Sequence, residues 1–184
     1  MNAKTAPLLT GIFMIVSGVF IAIFSYQPSP TIKYVVAVSS FLGGALTLLA
    51  TMKGRGAMIS VTYSWLVGLG GIGYGLAVAF FTRNLNDFLE ITGFSLLVLG
   101  LMEVTFTYQI LNLKRKPVAS IALYKIFTGL AMGIGAMWIL IASTLNENVS
   151  LLFAGIVLSL AGLSFILVSN HIVGKDVAVS DTGL

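Results

Sequence analysis

The chain has 184 residues, of which 58% are hydrophobic and 9% charged, with a formal charge of +4 and no cysteine. A water-soluble domain carries about 25% charged residues, so this composition, with a mean hydropathy of +1.03, excludes a globule dissolved in water and describes one dissolved in lipid. The lack of cysteine excludes disulfides, thiolate metal sites and thiol catalysis.

Six long apolar runs follow in order, near residues 8–26, 34–52, 58–82, 88–111, 118–143 and 149–172. Each is close to or above the ~20 residues that cross a bilayer as a helix. They predict an all-α integral membrane protein of six transmembrane helices. The first run is too long for the apolar core of a signal peptide, and no A-x-A-like site follows it, so it reads as a retained helix. The runs are separated by Gln27-Pro28-Ser29-Pro30, Lys53-Gly54-Arg55-Gly56, Arg83-Asn84-Leu85-Asn86-Asp87, Lys114-Arg115-Lys116-Pro117 and Asn146-Glu147-Asn148. All are short, so consecutive helices are antiparallel. After Gly174 the sequence turns polar, which predicts a six-helix domain over 1–173 and a short loose tail over 174–184.

The third run contains "VGLGGIGYG" at 67–75, and Gly68-Leu69-Gly70-Gly71-Ile72-Gly73 within it matches the GxGxxG pattern of dinucleotide-binding folds. Glu90 even lies about 20 residues past Gly70, where that pattern wants an acid for the ribose. The context is wrong, however. The fingerprint needs a preceding strand and a helix that starts within it facing water, whereas these glycines lie inside one apolar span and Glu90 sits on the next helix near the opposite membrane face. No cofactor is expected. Gly68, Gly71 and Gly75 fall at i, i+3 and i+7, one face of a helix, and Gly71 with Gly75 forms a GxxxG that lets another helix approach closely.

Charge sets the orientation. Lys4, Lys53, Arg55, Lys114, Arg115, Lys116 and Lys175 fall on one side, and Lys125 leans toward it. Lys33 and Arg83 fall on the other, beside Asp87, Glu90 and Glu147. The positive-inside rule then places both termini in the cytoplasm. The basic cluster Lys114-Arg115-Lys116 fits topology first and acidic headgroups second. Tyr26, Tyr34, Tyr63, Trp65, Tyr108 and Tyr124 read as interfacial anchors near span ends, and Trp138 as a deeper packing or lipid-contact residue.

An internal repeat underlies the spans. A shift of 57 places Gly11 on Gly68, Gly18 on Gly75 and Gly43 on Gly100. A shift of 118 places Thr10-Gly11 on Thr128-Gly129 and Gly18 on Ala136, and a shift of 62 places Gly93 on Gly155 and Gly100 on Gly162. The chain reads as three parallel two-helix hairpins, about 7–54, 64–112 and 122–173. The packing glycines of this frame are Gly11, Gly18, Gly68, Gly71, Gly75, Gly100, Gly129 and Gly162.

The openings "LLTGIFMIVSGVFIAIF" (8–24) and "LYKIFTGLAMGIGAMWIL" (123–140), with the returns "FSLLVLGLMEV" (94–104) and "LLFAGIVLSLAGLSFIL" (151–167), resemble the HdeD-like membrane proteins. Family hairpins often carry a proline at the outer turn. Here the first does, at Pro28 and Pro30, and the others use asparagine-rich turns. The resemblance implies a bacterial inner-membrane protein with a role in acid or envelope stress resistance, and it carries over no catalytic or ligand-binding residue. A second six-helix family, the bacterial acetate/succinate uptake proteins, begins with Asn-Pro-Ala-Pro-Leu-Gly, of which only Ala6-Pro7-Leu8 matches here.

Ionisable groups within spans are costly in lipid and mark candidate sites. Glu103 lies nine residues before Asn112 in the fourth run, and Lys125 eight residues after Pro117 in the fifth. At 1.5 Å per residue both sit roughly 12–13 Å from their shared turn, so the geometry permits a Glu103–Lys125 ion pair if the two helices are neighbours and these faces meet. By the repeat, Glu103 corresponds to Leu46 and Phe165, and Lys125 to Pro7 and Ser64. The charges therefore break the symmetry rather than build the hairpin. Thr107, Tyr108, Tyr124 and Thr128 complete a polar pocket around them in this reading. The plain alternative is that Lys125 snorkels to headgroups while Glu103 serves packing alone.

His171, the single histidine, lies at the end of the sixth run beside Asn170 and reads as a solvated helix terminus. No set of donors suits a metal, and no nucleophile has an adjacent base, so neither a metal site nor an enzyme is expected. The expected partner is the lipid bilayer, with room for a homo-oligomer and no nucleic acid. Two functions compete: a stress-resistance protein with a dry packed bundle, and a small-solute or proton transporter or channel with a water path to Glu103.

Overall fold

Every apolar run becomes a helix. The computed structural model describes residues 5–26, 31–53, 61–112, 119–142 and 146–180, with side chains over 7–26, 31–53, 62–108, 122–142 and 146–167. The helices are α1 (Thr5–Ile23), ending in a 3-10 turn over Phe24–Tyr26, α2 (Thr31–Met52), α3 (Val61–Phe81), α4 (Leu85–Asn112), α5 (Ala119–Ala142) and α6 (Glu147–Ser180). Six of these segments are long and apolar enough to cross a membrane. The turns within 27–30, 54–60 and 113–118, with the basic cluster at 114–116, and the side chain of His171 lie outside the described residues.

Local sequence explains the helix starts at the end of the bundle away from the termini. The Asn84 side chain accepts from the Asp87 N–H at 2.8 Å, while the Asp87 carboxylate accepts from the N–H groups of Arg83 and Asn84 at 2.9 and 3.3 Å. That reciprocal cap satisfies donors that a helix start leaves unpaired. Asn146 does the same for α6, accepting from the Val149 N–H at 3.2 Å. The asparagine-rich turns are thus helix caps. One expectation is corrected at the other end: helix α6 runs through Gly174 to Ser180, where a loose tail was expected. Glycine costs a helix only about 1 kcal/mol, and no proline interrupts residues 174–180.

The helices close into a ring. Each packs on its neighbours in sequence, and α6 returns to pack on α1. The most intimate pairs are α1 with α6, α2 with α3, and α4 with α5, so the tightest contacts lie between hairpins rather than within them. The bundle holds hydroxyl and charged groups within an apolar core and is apolar outside. Thr10, Thr47, Thr92, Thr128 and Ser164 are buried, while Phe127 at 71% and Ile134 at 70% are among the most exposed side chains. In water such a surface would aggregate; in hydrocarbon it is the solvated face.

Glycine explains why the inter-hairpin contacts are tight. A Cβ added at Gly11 would lie 2.6 Å from the Gly162 carbonyl, at Gly44 2.6 Å from the Gly68 carbonyl, and at Gly100 2.7 Å from the Gly129 carbonyl. These three crossings are equivalent under the repeat. A second set follows two turns along, with Gly18 on Gly155, Gly75 on Ala37, and Gly93 on Ala136. They also correct the register of the repeat. Gly44 rather than Gly43 is the counterpart of Gly100, because Gly43 faces Thr10 on α1 at ordinary contact distance. The middle hairpin is one residue shorter between its crossing glycines (Gly68 to Gly100) than the first (Gly11 to Gly44) or the third (Gly129 to Gly162). Thr47 thereby replaces Leu46 as the counterpart of Glu103.

Gly71 tests this packing. Its added Cβ would meet the Gly44 Cα at 3.0 Å, whereas one at Gly70 meets nothing within 4 Å. Gly71→Leu should lower the thermal midpoint in detergent at a cost of about 1–3 kcal/mol, and Gly70→Leu should leave it unchanged. Equal midpoints for the two variants would count against the crossing.

Candidate functional site

The glycine crossing of α4 and α5 places the candidate site. An added Cβ at Gly129 would lie 3.0 Å from the Cβ of Glu103 itself. Glu103 lies three residues past Gly100, and Lys125 four before Gly129, so each charged residue shares a helix face with its crossing glycine. With the backbones this close, the two side chains reach each other across the interface.

There the Lys125 ammonium forms a salt bridge with Glu103 Oε2. Tyr63, on α3, donates its hydroxyl to Glu103 Oε1. The triangle closes when Lys125 Nζ donates to the Tyr63 hydroxyl oxygen at 3.3 Å. Tyr63, Glu103 and Lys125 are each 0% exposed. The ammonium also stands 5.1 Å from the Tyr63 ring centroid and 5.7 Å from that of Phe165 on α6, close enough for cation–π attraction. Phe106 packs edge-on against Tyr63 at 5.1 Å. Four helices therefore enclose one paired charge.

The other expected members divide. Thr107 donates to the Glu103 carbonyl at 2.6 Å, and Thr128 donates to the Lys125 carbonyl at 3.1 Å with Ser164 Oγ 3.4 Å from its hydroxyl oxygen. These threonines brace the backbone that carries the charges rather than the charges themselves. Tyr108 is corrected out of the pocket, since it is 67% exposed on the outer surface. Five residues after Glu103, at 3.6 residues per turn, it points about 140° away around the helix. Tyr124 is half-buried, beside Lys125 in sequence but on an adjoining face.

Tyr63 is the residue that the sequence reading assigned elsewhere. It was expected as an interfacial anchor and is instead a fully buried partner of Glu103. The signal available was the repeat. Ser64 is the counterpart of Lys125, so the start of α3 occupies the same depth as the charge on α5. Phe165 was already marked as the counterpart of Glu103. Among the described residues no group of three or more His, Cys, Asp or Glu side chains could hold a metal.

Chemically, the cluster is a carboxylate held between one cation and one hydroxyl, buried away from the outer surface. Breaking such a pair leaves an uncompensated charge, which costs far more than removing both partners together. Fold and site together define the class: a multi-pass helical membrane protein with a carboxylate–ammonium pair sealed in its core. Comparison with known proteins finds no matching family model, curated protein or solved structure.

A double-mutant cycle follows. Glu103→Gln or Lys125→Met alone should destabilise the bundle by roughly 3–5 kcal/mol, and the double variant by less than either. Tyr63→Phe should cost about 1.5–3 kcal/mol, the range for a hydrogen bond to a charged group. Additive single effects in chemical denaturation would contradict coupling within the cluster.

Proposed function

We propose that this chain is a small bacterial inner-membrane protein of HdeD-like type, acting in acid or envelope stress resistance, with Tyr63, Glu103 and Lys125 as its acid-responsive element. The observation that carries this reading is the sealed ion pair. Protonating Glu103 removes the negative partner and leaves the Lys125 ammonium without compensation in the core. The ionisable groups packed near Glu103 are Lys125 and the half-buried Tyr124 on α5 and Tyr63 on α3; α6 offers Ser164 and Phe165, which do not titrate.

Packing favours a closed bundle over a conduit. Neither Glu103 nor Lys125 lines the principal cavities among the described residues. A proton or small-solute transporter that uses the pair would need water to reach Glu103, and a layer made of Val67, Leu99 and Met102 packs around the aromatic cluster there. The cytoplasmic placement of both termini rests on the distribution of basic residues.

Three measurements test the reading. In a strain lacking the gene, the wild-type chain should restore survival in extreme acid, and Glu103→Gln should restore less. In detergent, the thermal midpoint of the wild type should fall on acidification more steeply than that of the Glu103→Gln, Lys125→Met double variant. Vesicles holding the full chain should show no proton flux above empty vesicles; a flux abolished by Glu103→Gln would overturn the closed bundle in favour of transport. Topology has its own check. Because the chain has no cysteine, a single introduced cysteine is the sole target of a maleimide. Lys116→Cys and Asn148→Cys should be labelled by an impermeant maleimide from opposite sides of the membrane, with Asn148→Cys outside; labelling of Asn148→Cys from the cytoplasmic side would refute the orientation.

A further inference from the structure

Helices α3 and α4 are joined at two rungs and parted between them. At one rung Tyr63 donates to Glu103, and at the other the Tyr74 and Thr92 hydroxyls share a hydrogen bond of 2.9 Å. The rungs lie eleven residues apart on both helices, about 16 Å at 1.5 Å per residue. Between them is a cavity of about 220 Å³. Its rim carries Leu66 and Gly70 from α3 and Phe94 and Val98 from α4, all exposed on the outer surface. Its inner wall reaches Met14 on α1 and Leu158 on α6.

The neighbouring hairpins are joined where this one parts. Thr10 Oγ1 lies 3.0 Å from the Gly43 carbonyl and 2.7 Å from Thr47 Oγ1, tying α1 to α2. Thr128 reaches Ser164 Oγ, tying α5 to α6. The residue equivalent to Thr10 and Thr128 in the middle hairpin is Val67, which has no hydroxyl to reach across and lines the cavity instead.

The position of the mouth selects the occupant. It opens midway along two membrane-spanning helices, at a depth where the surroundings are hydrocarbon. The space exceeds the ~150 Å³ of an apolar cavity known to take up benzene. At about 220 Å³ it holds less than one turn of a second helix, which is about 10 Å across and 5.4 Å in pitch. The geometry points to a lipid-binding site, in which one acyl chain of a bilayer phospholipid enters between α3 and α4 and lies against Met14 and Leu158. Met14, Val67, Leu99 and Met102 line the cavity and also pack on the cluster of Tyr63, Phe106 and Phe165, so the bound chain ends one side-chain layer from the ion pair.

The test uses the full chain in vesicles of phosphatidylcholine that carries a diazirine midway along one acyl chain. On illumination, adducts should form on the peptide containing Leu158, which is 3% exposed and beyond the reach of lipid on the outer surface. Gly70→Phe places a ring in the mouth, where an added Cβ meets nothing within 4 Å, and the Leu158 adduct should fall about tenfold as the ring excludes the chain. Adducts at Phe127, on the outer face of α5, should not change. Ser95→Phe, from the opposite wall, should reproduce the loss and serves as the test if Gly70→Phe does not fold. Adducts confined to exposed faces would overturn the proposal, as would a Leu158 adduct that both rings leave intact. Cross-links between two copies at the mouth would assign it to a second chain and overturn it too.

Discussion

Backbone meeting backbone is the constraint on which this bundle rests. In lipid, apolar side chains gain little by leaving the solvent, so helices associate through close packing and polar contacts. Gly11 with Gly162, Gly44 with Gly68, and Gly100 with Gly129 supply that closeness at three equivalent crossings. The ion pair follows from the third of them. Side chains of ordinary length meet across α4 and α5 because nothing wider than a hydrogen stands between the backbones one turn away. A larger residue at Gly129 would press on Gly100, Val104 and Glu103 together.

The frame repeats and the chemistry does not. At the positions equivalent to Glu103 stand Thr47 and Phe165, and at those equivalent to Lys125 stand Ser64 and Pro7. One depth of the bundle is therefore charged on one side, hydroxylated on the second and apolar on the third. The apolar member is put to use, since the Phe165 ring lies against the Lys125 ammonium. The same rule governs the opening between α3 and α4. Valine replaces the threonine that joins the other hairpins, and the helices part there. In both cases the distinctive feature is a departure from the repeat, built on backbone crossings that the repeat shares.

How much of this was legible in the sequence depended on the length scale. Six spans were visible because hydrophobic length is set by the bilayer, and the glycine faces because helical phase is regular. The exact register was not. Adjacent Gly43 and Gly44 offered two alignments, and only the shorter middle turn, expressed as contact with Gly68, separates them. Tyr63 was assigned to the membrane surface because tyrosines near span ends usually sit there; its burial depends on Phe106 and Phe165 arriving from helices distant in sequence. Tyr108 shows the converse error. It is near Glu103 in sequence, and the turn of the helix carries it to the outside.

Ring closure gives the molecule an order of assembly. Helices α2 and α3, and then α4 and α5, are consecutive, so each can dock on its closest partner as soon as the second of the two has left the ribosome. The close partner of α1 is α6, which follows four further spans later in the chain. Gly11 and Gly18 of α1 therefore stay uncovered until α6 has been inserted. During biosynthesis those two glycines are the surface most open to capture by another membrane helix, and the arrival of α6 is the step that ends the risk.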